Sequence, residues 1–167
     1  MKEKILEAFK TLGFKLEEIE EMGYTFCYED IHMLWSYNEE DEDFFSLSVP
    51  AMYDCGNDKL PQSCALMFKI NSTLKYVKAY NIDTNLWLFY ERELFGNEAL
   101  DELIARMVLH LEAAVRFTRK AIEEIENIDT DDDIEDDDCC VDDTSEDDDN
   151  EEFTTAEEVV DDNENNK

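Results

Sequence analysis

A single apolar stripe dominates the second half of the chain: Leu100, Leu103, Ile104, Met107, Leu111, Ala114, Val115, Thr118, Ile122 and Ile125 recur at helical spacing for about seven turns. Asn97 stands where an N-cap belongs. Glu98, Asp101 and Glu102 lie near the positive end of the helix dipole, with Arg116, Arg119 and Lys120 toward the negative end. A helix of this length needs a broad apolar surface to cover, and the preceding residues supply one.

Those residues change period twice. Ile5, Leu6, Phe9 and Leu12 form a short amphipathic helix that stops at Gly13. Tyr24, Phe26 and Tyr28 then alternate with polar neighbours, Glu29-Asp30 makes a turn, and Ile31, Met33, Trp35 and Tyr37 alternate in their turn. After the acidic loop Asn38 to Asp43, Phe45, Leu47 and Val49 line a third strand. Leu60 to Leu74 returns to helical spacing, with Pro61 in the first turn and Leu60, Cys64, Met67, Phe68 and Asn71 to Leu74 read as its core side. Tyr76 to Ile82 and Leu86 to Glu93 read as a hairpin across Asp83, Thr84 and Asn85.

The predicted class is α+β: an antiparallel sheet with helices on one face, in the order α-β-β-β-α-β-β-α, followed by a disordered acidic tail. Composition sets the boundary. From Glu126 onward there are 22 acids and one base, a charge of −21 out of the chain's −32, which leaves −11 for the first 125 residues. Clusters such as Asp131-Asp132-Asp133 and Asp147-Asp148-Asp149 repel one another and offer little apolar surface against ordering entropy. Residues 1–126 are therefore read as the folded domain and 127–167 as the tail.

The hairpin Tyr76-Val77-Lys78-Ala79-Tyr80…Leu86-Trp87-Leu88-Phe89-Tyr90, followed by the long closing helix, resembles the type III secretion chaperone-like fold. Within that fold the chain looks like the YbjN-like family of bacterial sensory transduction regulators over roughly residues 1–125. The resemblance rests on element order and apolar pattern. It implies a small acidic protein that binds another polypeptide, often as a homodimer, and it carries no catalytic residues over. The acidic tail departs from the family's usual short ending.

No catalytic, cofactor-binding or metal-binding residue is assigned, and no partner-binding residue is singled out. His32 and His110 each lack a second histidine at ligand spacing, so structural or surface roles are expected for both. Cys27 and Cys64 fall within element patterns and are expected to be buried; Cys55, beside Gly56, is expected to be exposed. Trp35 and Trp87 are expected to pack in the core. No P-loop, dinucleotide-binding glycine pattern or serine-nucleophile elbow is present.

Asp129 to Cys140 superficially resembles a calcium loop but lacks glycine at the sixth place and ends in cysteine where the bidentate glutamate belongs. Cys139-Cys140 alone makes an incomplete site for a soft metal. Ile134, Val141, Phe153, Val159 and Val160 could anchor a short helix on a partner, or the tail could fold back onto Lys69, Lys75, Lys78 or Arg116.

The odd set of five cysteines without a regular framework suits a reducing compartment, and a cytoplasmic location is expected, with the Asn71-Ser72-Thr73 sequon idle. The negative charge argues against a nucleic-acid backbone as direct partner, and no apolar run suits a bilayer. A polypeptide partner is expected, with no cofactor. An acidic tail that mimics nucleic acid and sequesters a basic protein is the competing reading.

Overall fold

The computed structural model describes residues 1–131, within a compact unit Met1–Ile134. In chain order its elements are α1 (Lys2–Thr11), β1 (Glu17–Ile19), β2 (Gly23–Tyr28), β3 (Ile31–Ser36), β4 (Phe44–Asp54), a 3-10 turn at Asn57–Lys59, α2 (Leu60–Thr73), β5 (Val77–Ile82), β6 (Asn85–Glu93) and α3 (Leu100–Asp131). The class is α+β, and the expected order holds with one short strand, β1, added. The sequence Glu17-Glu18-Ile19 has no apolar alternation because every residue of β1 is exposed; only pairing with β2 makes it a strand.

α1 ends as its sequence dictates. Gly13, at φ +82°, follows the last helical residues, its N–H donating to the Lys10 carbonyl and the Phe14 N–H to the Phe9 carbonyl, both at 3.0 Å. These two bonds are the Schellman arrangement, and the Phe9 and Phe14 rings complete it at 6.0 Å. Phe9 is thereby fixed against the sheet, with Phe26 at 5.0 Å and Trp35 at 5.6 Å, and is fully buried.

The six strands form one antiparallel sheet in the order β1-β2-β3-β4-β6-β5. Glu29 and Asp30 join β2 to β3 with φ values of +44° and +63°, the backbone that a two-residue hairpin with right-twisted strands requires. Gly23 opens β2 at φ +123°, where a Cβ would stand 2.1 Å from the Trp35 carbonyl oxygen; glycine alone lets the two strands approach there. β4 runs past Pro50 to Asp54. Its register against β6 shifts between Val49 and Tyr53, with Ala51 at φ +52°, so proline sits at an irregularity rather than in an unbroken ladder.

The core lies between the sheet and the helices. Tyr24, Phe26, Met33, Trp35, Phe45, Leu47 and Val49 meet Ile5 and Phe9 of α1, Leu66 and Ile70 of α2, and Ile104, Met107, Leu111 and Val115 of α3. The stripe read on α3 is the stripe that packs, with Val108 and Ala121 added.

Three details differ from the expectations. α2 buries Ser63, Leu66 and Ile70, and of the expected side Met67 and Leu74 pack partly on the core, whereas Leu60 and Phe68 are 55% and 77% exposed and Cys64 is exposed too: its packed face is rotated from the apolar stripe, and Asn71 stands beside it against β5. α3 starts at Leu100, so Asn97 precedes it by too much to cap it; the Glu98 carboxylate instead accepts the backbone N–H groups of Phe95 at 2.7 Å and Gly96 at 2.9 Å. Those bonds hold its pKa below the ordinary glutamate value. β5 begins at Val77 rather than Tyr76, whose φ of +69° is incompatible with a strand.

Candidate interaction surface

In a strand, alternate residues face opposite sides, so the core residues of β2 to β6 fix a second set that faces away from the helices. Register aligns Leu34 with Ser48 and Ser48 with Phe89, and in the next row Ser36 with Ser46 and Ser46 with Glu91. Phe89 in turn pairs with Lys78, and Trp87 with Tyr80. A central strip of serines is flanked by large side chains.

Those large side chains are ordered by stacking. The Tyr80 ring lies parallel to Phe89, 4.1 Å between centroids and 8° between planes, and Trp87 extends the row at 6.0 Å and 12° from Phe89. Phe89 is 5% exposed beneath Tyr80 although it faces away from the helices. Burial pushes the Tyr80 hydroxyl above its ordinary pKa, with the nearby Glu91 carboxylate adding to it. Met22, Phe44, Tyr80 and Ile82 remain between 37% and 47% exposed around the same groove, which encloses about 880 Å³. Apolar side chains of this size on an open sheet face form a contiguous patch rather than scattered single residues.

Carboxylates surround the patch. Glu21, Glu39, Asp41, Asp83 and Glu91 line the groove, and none of its described lining residues is Lys or Arg. Lys78 lies at its border and is engaged by Glu91 at 3.4 Å.

Both edges of the sheet are poorly suited to a further strand. On β5, the Asn71 side chain donates to the Ala79 carbonyl at 2.9 Å and accepts the Ala79 N–H at 2.7 Å. On the far side, β1 is three residues long and carries Glu17 and Glu18, a short charged edge of the kind that discourages pairing.

Trp35 is buried at the centre of the core, as expected. Trp87 is not: strand alternation places it on the open face, a position that composition could not distinguish from the core. The cysteine expectations are inverted. Cys27 faces outward on β2 and Cys64 outward on α2, whereas Cys55 is buried, with its thiol near the Tyr53 carbonyl and the Asn81 side chain, each at 3.5 Å. The inversion follows from the face each element buries: Cys55, just past β4, is held against the end of the β5–β6 hairpin by its N–H donating to the Thr84 carbonyl at 2.6 Å.

His32 is exposed on β3, and His110 is exposed on α3 with Nδ1 at 2.8 Å from the Arg106 carbonyl and its ring beside Tyr76 and Tyr90. Both have the surface settings expected for them. Among the described residues no group of three or more His, Cys, Asp or Glu is arranged to hold a metal ion, and no helix is long and apolar enough to cross a membrane.

Of the cations considered as docking points for the tail, Lys69 pairs with Glu124, Lys78 with Glu91 and Arg116 with Glu112 at 3.0 Å. The acidic run from residue 132 onward, Cys139, Cys140, Ile134, Val141, Phe153, Val159 and Val160 lie outside the described residues.

No family model matches this sequence, and no curated protein matches it. Among solved structures, YbjN from E. coli, provisionally described as a transcription regulator, aligns with a TM-score of 0.56 at 12% identity, over 77% of this chain and 93% of its own. The fold is YbjN-like. An uncharacterized protein from Methanothermobacter thermautotrophicus aligns with a TM-score of 0.53 at 16% identity, over 74% of this chain and 96% of its own. The YbjN-like fold is thus shared with nearly the whole length of both chains. At such identities the likeness concerns architecture, and the open face must be read from this chain's own residues.

Proposed function

We propose that the chain is a regulatory protein-binding module of the cytoplasm, without chemistry of its own, that takes a polypeptide partner on the open face of its sheet. The observation that carries this reading is the stacked row Tyr80, Phe89 and Trp87 in an apolar groove that no helix of the described residues covers. The description of YbjN as a regulator agrees with it. The long helix is a weaker candidate surface, because its apolar stripe is already spent on the core. Homodimerisation, implied by the resemblance, belongs to this reading only away from the open face, where two acidic rims would otherwise meet.

The charge of residues 126–167, −21, favours a second reading, in which an acidic tail sequesters a basic protein by mimicking nucleic acid. Affinity capture with the full chain, a form ending at residue 134 and the full-length Trp87→Ser variant, each at low and high salt, separates the two. The sheet-face reading expects a partner kept by the shortened form in high salt and lost with Trp87→Ser. A partner indifferent to Trp87→Ser, but lost with the tail or with salt, would move function to the polyanion, since exposed charge attraction is screened beyond about 8 Å at physiological ionic strength.

A further inference from the structure

We propose that the occupant of the open sheet face is a basic, amphipathic α-helix of another protein. The inference rests on the sheet-face reading above and adds the conformation and charge of the partner.

Conformation follows from where backbone hydrogen bonds are available. An extended segment gains most of its affinity for a sheet by main-chain pairing at an edge. Here one edge has its central peptide groups, the N–H and C=O of Ala79, filled by Asn71, and the other is the three-residue acidic strand β1. A segment lying instead across the face meets strands whose peptide groups are already paired in the ladders. Its own N–H and C=O groups, once desolvated between the apolar walls of the groove, need internal partners, and a helix supplies them.

Shape agrees with this. The floor is lowered by Ser36 and Ser46 and walled by Tyr80, Trp87 and Phe44. A helix with its side chains is about 10–12 Å across, a little more than two strand spacings of about 4.8 Å, so one helix spans the serine strip and rests on the walls.

Charge chooses among occupants. Glu21, Glu39, Asp41, Asp83 and Glu91 ring a groove with apolar walls, which suits a helix with one apolar face and Lys or Arg along its flanks. A second copy would bring the same five carboxylates. The chain's own tail, with 22 acids and one base from Glu126 onward, would bring more of the same sign.

The test uses the full chain and three synthetic probes: a Leu/Lys amphipathic helix, a scrambled Leu/Lys peptide of identical composition, and a Leu/Glu helix. Acrylamide quenching of Trp87 reports the face directly, with buried Trp35 as a nearly constant background. The expected result is that the Leu/Lys helix binds at least about tenfold more tightly than its scramble. It should also shield Trp87 in high salt and lose its advantage in the double variant Tyr80→Lys, Asp83→Lys.

Equal binding of both Leu/Lys peptides without shielding would place them on the polyanionic tail and overturn the inference. Preferential shielding by the Leu/Glu helix would overturn it while leaving the sheet-face reading intact. Shielding that develops without peptide, together with a doubled mass in sedimentation, would assign the face to a second copy. If no probe shields Trp87 and Trp87→Ser leaves partner capture unchanged, both the inference and the sheet-face reading fail.

Discussion

The Asn71 side chain caps the outer edge of the sheet at mid-strand by forming both hydrogen bonds of a strand partner with a single residue, Ala79. Asn71 lies in the last turns of α2, so the register between helix and sheet is held by an amide rather than by apolar packing alone. Asn71→Ala should leave the Ala79 N–H and C=O to water or to another chain, at a loss of about 1–3 kcal/mol. Denaturant unfolding would measure that loss, and sedimentation should show concentration-dependent association through the freed edge. Unchanged stability would mean that water replaces the amide without penalty.

Gly23 and Gly13 both have positive φ but differ in their surroundings. A Cβ at Gly23 meets the Trp35 carbonyl oxygen of β3 at 2.1 Å and the Tyr37 nitrogen just past it at 2.9 Å, whereas nothing lies within 4 Å of one at Gly13. Gly13→Ala should therefore lose only the left-handed backbone penalty, about 1–2 kcal/mol. Gly23→Ala must also push β2 from β3 and should be clearly more destabilising in the same thermal melts; equal losses would show that the strands separate easily.

The two tryptophans should behave in opposite ways. Trp35 is packed between Phe9, at 5.6 Å, and Tyr24, at 5.0 Å, and Trp35→Ala should remove about 3–5 kcal/mol. Trp87→Ser should change the unfolding midpoint much less, because part of its ring is already in water, and should act on partner binding. A large stability loss from Trp87→Ser would make the aromatic row structural.

Glu98 gives a signed pH dependence. Hydrogen bonds from Phe95 and Gly96 lower its folded-state pKa, so its contribution to stability is present above the unfolded value, about 4.3, and disappears as pH falls through the folded value. Melts of the native chain and Glu98→Gln, compared from neutral pH downward, should differ most at neutral pH and converge in acid. A difference that stayed constant with pH would assign the Glu98 effect to shape instead of charge.

Thiol labelling followed by peptide mapping tests the cysteine placement. Cys27 and Cys64 should react in the native state, and Cys55 only as the fold opens, because access and ionisation to the thiolate both limit the reaction. Prompt native-state labelling of Cys55 would contradict its burial.

What the sequence determined was local and periodic. The α3 stripe, the Gly13 stop, the Glu29-Asp30 turn and the alternations of β2, β3, β4 and β6 are written in neighbouring residues, since helix and strand periods differ and only glycine or a tolerant turn residue accepts the required backbone. The α+β class follows from them, and composition alone sets the negative charge that made a basic partner electrostatically acceptable. Tertiary structure alone decided which face each element buries. Leu60, Cys64 and Phe68 look like a core stripe on α2 until packing buries Ser63, Leu66 and Ile70, and Trp87 looks like Trp35 until the hairpin places it on the other side of the sheet. β1 is a strand only because β2 pairs with it. The open face, its serine floor and its acidic rim arise from register between strands distant in sequence, and no local pattern records which side of a sheet remains uncovered.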